Sequence, residues 1–136
     1  MGIRLGTLLP WLLLALVGAG AAWLRLGLIE PHAVANLCTA AQAPAWCALR
    51  QALVLGFLHE VYGIAALIAA ALALLRRSRT LAWLAAALGA FALQFFNYEP
   101  GALALLAGCL RLVHLQGAGN AGATVTPVRS PESARQ

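Results

Sequence analysis

Charged residues fall at wide intervals along this chain, and the intervals between them are apolar. No charge occurs between Arg4 and Arg25, between Glu60 and Arg76, between Arg79 and Glu99, or between Glu99 and Arg111. The stretch Val61–Leu75 is apolar throughout, and residues 81–96 are apolar apart from Gln94. These two runs predict a helical hairpin, from His59 down to the turn Arg76-Arg77-Ser78-Arg79 and back to Glu99. Each limb can rise roughly 25 Å as helix, which suits the hydrocarbon thickness of a bilayer. The expected fold class is an all-α integral membrane protein with four transmembrane helices.

The first expected span, residues 5–24, follows the single basic residue Arg4, with Trp11 inside it and Trp23 near its end at headgroup depth. Its run Gly18, Gly20, Ala21 and Ala22 would let another helix approach closely. A cleaved signal peptide, with Ala19-Gly20-Ala21 as the cleavage site, is the alternative reading of this stretch. Glu30-Pro31-His32 ends the span, because proline disfavours helix for the residue before it. A loop holding Cys38 and Cys47 follows, and Pro44-Ala45-Trp46 starts the next helix. From Cys47 to Leu75 there are 29 residues, about 43 Å of helix, more than one crossing requires. Either the second span tilts, or it occupies residues 57–75 behind an interfacial lead-in at residues 47–57. The third span is placed at residues 80–98, the tight turn at Glu99-Pro100-Gly101, and the fourth span at residues 101–116. Residues 117–136, rich in Gly, Ala, Thr, Ser and Pro, read as a disordered tail beyond this single four-helix domain.

Composition agrees with the pattern. The 136 residues are 62% hydrophobic and 10% charged, with mean hydropathy +0.85. Soluble domains carry about a quarter charged residues. The formal charge of +5 raises nucleic-acid binding. However, all nine basic residues are arginine and most stand beside the expected spans rather than in one patch. With both termini in the cytoplasm, Arg4, Arg76, Arg77, Arg79, Arg111, Arg129 and Arg135 lie inside, and Arg25 and Arg50 outside. That bias of seven to two predicts a multi-pass protein of the bacterial inner membrane, with the cysteine loop on the outer side.

Polar groups converge at one place, the outer rim. His59, Tyr62, Gly63, Ala66 and Ala70 share a face of the second span. Ala87, Ala90, Gln94, Asn97 and Tyr98 share a face of the third. Both faces are small within the membrane and polar at the outer end, so they are expected to meet, with Ala92 on another face and Phe91, Phe95 and Phe96 turned partly to lipid. His59, Glu60, Tyr62, Gln94, Asn97, Tyr98 and Glu99 form the candidate site. The cluster suits a quinone head group, a proton path, or a metal or haem ligand. Equally, it suits hydrogen bonds that hold the helices together. Haem between helices calls for two facing histidines, and His59 has no mate, since His114 lies at the other side and His32 in the loop. No cofactor and no metal is therefore expected. Glu60 is either a functional acid within the hydrocarbon or a solvated carboxylate at its edge. Cys38 and Cys47, with eight residues between them, are expected to form a structural disulfide. Redox pairs more typically read C-x-x-C, although Arg50, one turn on, could stabilise a thiolate.

Four short spans with a cysteine pair in the first outer loop resemble the quinone-linked disulfide-generating membrane proteins. That family requires C-x-x-C there and a second pair, and this chain has neither. The size and plan also resemble the small multidrug resistance transporters, whose embedded acid lies in the first span, where this chain has none. The expected function is that of a non-enzymatic accessory or assembly subunit of a larger membrane complex. The alternatives are a quinone- or thiol-linked redox protein using the rim and a small dimeric transporter using Glu60. Expected partners are membrane lipid and either a membrane protein or further copies of the chain, not nucleic acid.

Overall fold

A computed structural model describes residues 5–124. Six α-helices follow in order: α1 (Leu5–Leu24), α2 (His32–Thr39), α3 (Trp46–Leu58), α4 (Val61–Leu75), α5 (Arg79–Gln94) and α6 (Tyr98–Thr124). A π-helical turn, Arg25–Ile29, extends α1, and no strand occurs among the described residues. Among the described residues, two helices are long and apolar enough to cross a membrane, Leu5–Ile29 and Tyr98–Gly122. The pair α3 and α4, bent by 65° at the break between them, makes a third if it counts as one span.

The bundle is inverted relative to a soluble one, with small residues inside and large ones outside. On α4 the buried positions are Gly63, Ala66, Ala69, Ala70 and Ala73. Ile64, Leu67, Ile68, Leu74 and Leu75 of the same helix are exposed. Among the described residues, Phe95 and Leu112 are the large apolar residues that reach the core, whose apolar remainder is alanine and glycine. In water such a core would bury too little apolar area to hold. In lipid, which is as apolar as leucine, helices associate through close van der Waals packing, and small residues permit it.

The closest packing is between α5 and α6. A Cβ at Gly108 would stand 2.5 Å from the backbone N of Ala86 and 2.8 Å from the carbonyl of Ala82. One at Gly101 would stand 3.0 Å from the carbonyl of Gly89. Ala82, Ala85, Ala86, Gly89 and Ala92 line the α5 side at helical spacing, all buried. Helix α4 closes the trio, its Gly63 set so near Pro100 that a Cβ would meet that ring at 2.6 Å. Helix α1 packs chiefly on α5, and a bond runs from Trp83 Nε1 to the Pro10 carbonyl (3.0 Å).

Four sequence expectations change. The third helix ends at Gln94 rather than residue 98, and the chain turns at residues 95–97, before Glu99-Pro100-Gly101. Pro100 sits in the first turn of α6, where its missing N–H removes no helical bond. Gly101 is a packing contact, not a turn residue. Ala92 is fully buried and Ala90 half-buried, the reverse of the expected faces, because α5 gives its innermost stripe to α6 as well as to α4. Phe95 is 2% exposed rather than turned to lipid, stacked on Phe91 at 4.5 Å. Helix α6 continues past residue 116 to Thr124, and the rest of the expected tail, residues 125–136, lies outside the described residues.

Candidate functional site

Among the described residues, two other than glycine adopt left-handed backbone, Glu60 (φ 54°) and Phe96 (φ 63°). Each ends a helix, Glu60 between α3 and α4 and Phe96 between α5 and α6. That conformation costs roughly 1–2 kcal/mol for a residue with a Cβ, so contacts must hold it. At Phe96 they are evident. Its ring lies 5.5 Å from that of Phe57 and edge-on to Tyr98 at 5.9 Å, and the Arg25 guanidinium sits 4.1 Å from its centroid. At the α3–α4 break, Tyr62 donates its hydroxyl to the Leu53 carbonyl (3.1 Å), spanning the bend.

The structure gives the seven predicted rim residues different surroundings. His59, Glu60, Tyr98 and Glu99 are exposed. Tyr62 is half-buried, with its ring edge-on to Phe91 at 5.2 Å. Asn97 is 7% exposed and donates to the Phe95 carbonyl at 3.4 Å, closing the α5–α6 turn. Both therefore hold backbone. Gln94 is half-buried and lines a cavity that none of the other six enters. Among the described residues no group of three or more His, Cys, Asp or Glu could hold a metal ion.

That cavity, of about 200 Å³, lies where the π-turn after α1, the middle of α3 and the end of α5 meet. Its polar lining is Arg25, Arg50 and Gln94, and Val54, Phe57 and Phe96 belong to its apolar wall. Arg25 pairs with Glu30 (Nε to Oε1, 3.4 Å) and donates Nη1 to the Gln94 carbonyl at 3.3 Å. Arg50 donates Nε to the Leu28 carbonyl at 3.1 Å and Nη2 to the Ile29 carbonyl at 3.5 Å. Carbonyls at the end of a helix lack intrahelical donors, so a guanidinium satisfies them and favours the negative end of the helix dipole. Arg50 thus fastens α3 to the end of α1. Sequence reasoning passed over this site, although one signal was available: Arg25 and Arg50 are the two arginines that the charge bias leaves on the arginine-poor side.

Cys38 and Cys47 are bonded, with Cα atoms 5.5 Å apart, tying the last turn of α2 to the first turn of α3. Cys109, free among the described residues, is half-buried in α6. The opposite end of the bundle carries a second polar seam. Trp11 Nε1 donates to Gln116 Oε1 (3.4 Å), Gln116 Nε2 to the Thr7 carbonyl (3.4 Å), Arg79 Nη2 to the Leu115 carbonyl (3.2 Å) and Arg111 Nε to the Ala73 carbonyl (3.2 Å). These bonds gather the start of α1, the α4–α5 turn and the far part of α6 at one end. No protein-family model, no curated protein and no solved structure matches this chain.

Proposed function

We propose that the chain crosses the bacterial inner membrane four times, through α1, α4, α5 and α6. In this reading both termini are cytoplasmic and α3 lies along the outer surface. We further propose that it acts without catalysing a reaction, as an accessory or assembly subunit of a larger membrane complex. The observation that carries the reading is on α1. Ala15, Gly18, Ala19 and Ala22 recur at helical spacing on that helix, the residue types that permit close helix contact, yet Ala15 and Ala19 are exposed. At Gly18 nothing lies within 4 Å of where a Cβ would be. A packing face with nothing packed on it fits a helix supplied by another chain. Glu60, on which the transporter alternative depends, is exposed.

Topology draws support from Arg76, Arg77, Arg79 and Arg111, which gather at one end, while Arg25 and Arg50 lie at the other. The 65° bend before α4 favours α3 along the surface. At 15 and 16 residues, α4 and α5 rise about 22–24 Å, so local thinning of the roughly 30 Å hydrocarbon accompanies this arrangement. Reporter fusions after Ser78 and after Gln136 should read cytoplasmic, and one at Ala41 periplasmic. The opposite reading at Ser78 would overturn the topology.

The partner test uses Gly18→Leu. A Cβ at Gly18 meets nothing within 4 Å in this chain, and leucine gains close to 1 kcal/mol of helix propensity over glycine. Purified in gentle detergent, the native chain should bring down a stoichiometric membrane partner. Gly18→Leu should fold as stably and lose it. Co-purification that survives the substitution would remove this face as the contact.

A further inference from the structure

The cavity between Arg25 and Arg50 carries a charge imbalance. Two guanidiniums line it, and the one ion pair among the described residues joins Arg25 to Glu30. Arg50 is bonded to neutral carbonyls, and Glu60 and Glu99, the remaining described carboxylates, pair with neither arginine. One positive charge is therefore uncompensated. Donors are also left over. A guanidinium has five N–H groups. Each of these two uses two of them on protein acceptors, among the described residues. Those same bonds hold both groups in place, so the remaining N–H groups are presented in a fixed arrangement, which lowers the ordering cost of binding.

The walls restrict the occupant further. At about 200 Å³ the cavity is below the roughly 300–1,000 Å³ of pockets that enclose drug-sized ligands. Phe57, Phe96 and Val54 make part of the wall apolar. The site lies at the end of a membrane-length helix, within a turn of Trp23, which is 72% exposed as an indole at headgroup depth would be. A monoanion with a charged end and an apolar continuation meets all of these demands. We propose that the cavity binds the phosphodiester of one anionic phospholipid between Arg25 and Arg50, with the acyl chains outside it along α1. Guanidinium and phosphate oxygen are matched in geometry as well as charge. The inference rests on membrane embedding and is independent of the accessory role.

The test is native mass spectrometry of the full chain released from mild detergent. Palmitoyl-oleoyl phosphatidylglycerol, palmitoyl-oleoyl phosphatidylcholine and inorganic phosphate are titrated separately. One phosphatidylglycerol should remain bound per chain, phosphatidylcholine should not at equal concentration, and inorganic phosphate should leave the lipid in place. Loss of one charge-assisted contact corresponds to about tenfold in affinity, so Arg50→Gln should lower phosphatidylglycerol occupancy by that order. Because Arg50 also fastens α3, Val54→Trp provides a second variant, filling the cavity while leaving both arginines and their carbonyl acceptors intact. It should abolish the adduct. Arg77→Gln, exposed at the opposite end, should change nothing. Equal retention of the two lipids, or an adduct indifferent to Arg50→Gln and Val54→Trp, would overturn the proposal. Displacement of the lipid by inorganic phosphate would also overturn it, in favour of a free-anion site.

Discussion

Gly108→Ala is expected to destabilise the protein, whereas Gly18→Ala, the same change on another helix, is expected not to. Both gain helix propensity, about 1 kcal/mol for glycine to alanine. They differ in what the new methyl meets. At Gly18 it meets nothing within 4 Å, while at Gly108 it meets the Ala86 nitrogen at 2.5 Å and the Ala82 carbonyl at 2.8 Å. These are backbone atoms, so no rotamer change relieves the clash and the two helices must move apart. Overpacking costs typically about 1–3 kcal/mol, and separating a seam of alanines and glycines forfeits contacts along its length. A net loss of about 2 kcal/mol lowers the midpoint of thermal unfolding by roughly 5–10 °C for a chain of this size. Tryptophan fluorescence on heating in mild detergent measures it. Equal midpoints for the two variants would mean that α5 and α6 do not approach as described. The same seam orders the alanines of α5: Ala92→Leu, at a fully buried position, should be worse than Ala90→Leu.

The second large effect belongs to Cys38 and Cys47. Exchanging both for serine should lower the recovered amount of protein, because closing so short a loop contributes about 2–3 kcal/mol against its disorder. The bond joins α2 to the first turn of α3 and so sets where Arg50, one turn further, meets the carbonyls of Leu28 and Ile29. Mass-tagged maleimide on the denatured chain should label Cys109 alone without reductant and all three cysteines with it. In the double-serine variant, any activity of the surrounding system should fall in proportion to abundance. Normal abundance with abolished activity would show that the pair turns over chemically, and the structural role would then be wrong.

Features that depend on local composition are legible in the sequence. Uncharged runs long enough for membrane helices are visible residue by residue, as are the arginine turn and a cysteine pair close enough to bond. The inner face of α4 was legible too: Gly63, Ala66 and Ala70 recur at helical spacing and are buried. Tertiary structure decided what depends on a second helix. In a chain this rich in alanine, several faces of α5 are small enough to be an interface. Ala92 won over Ala90 because α6 and α4 both pack on α5, which no single-helix periodicity encodes. The turn at residues 95–97 was hidden for a similar reason, since Pro100 and Gly101 signal a turn by type yet serve as a first-turn residue and a packing contact. The rim residues differ in burial, from exposed His59 to buried Asn97, because nearness to one membrane face does not fix how deeply each side chain packs. What did assemble was Arg25, Arg50, Gln94 and Phe96, drawn from three separate segments and lying up to 71 positions apart in the chain. Their meeting depends on α3 folding back over the end of α1, where helix-terminal carbonyls need donors and Arg50 supplies them.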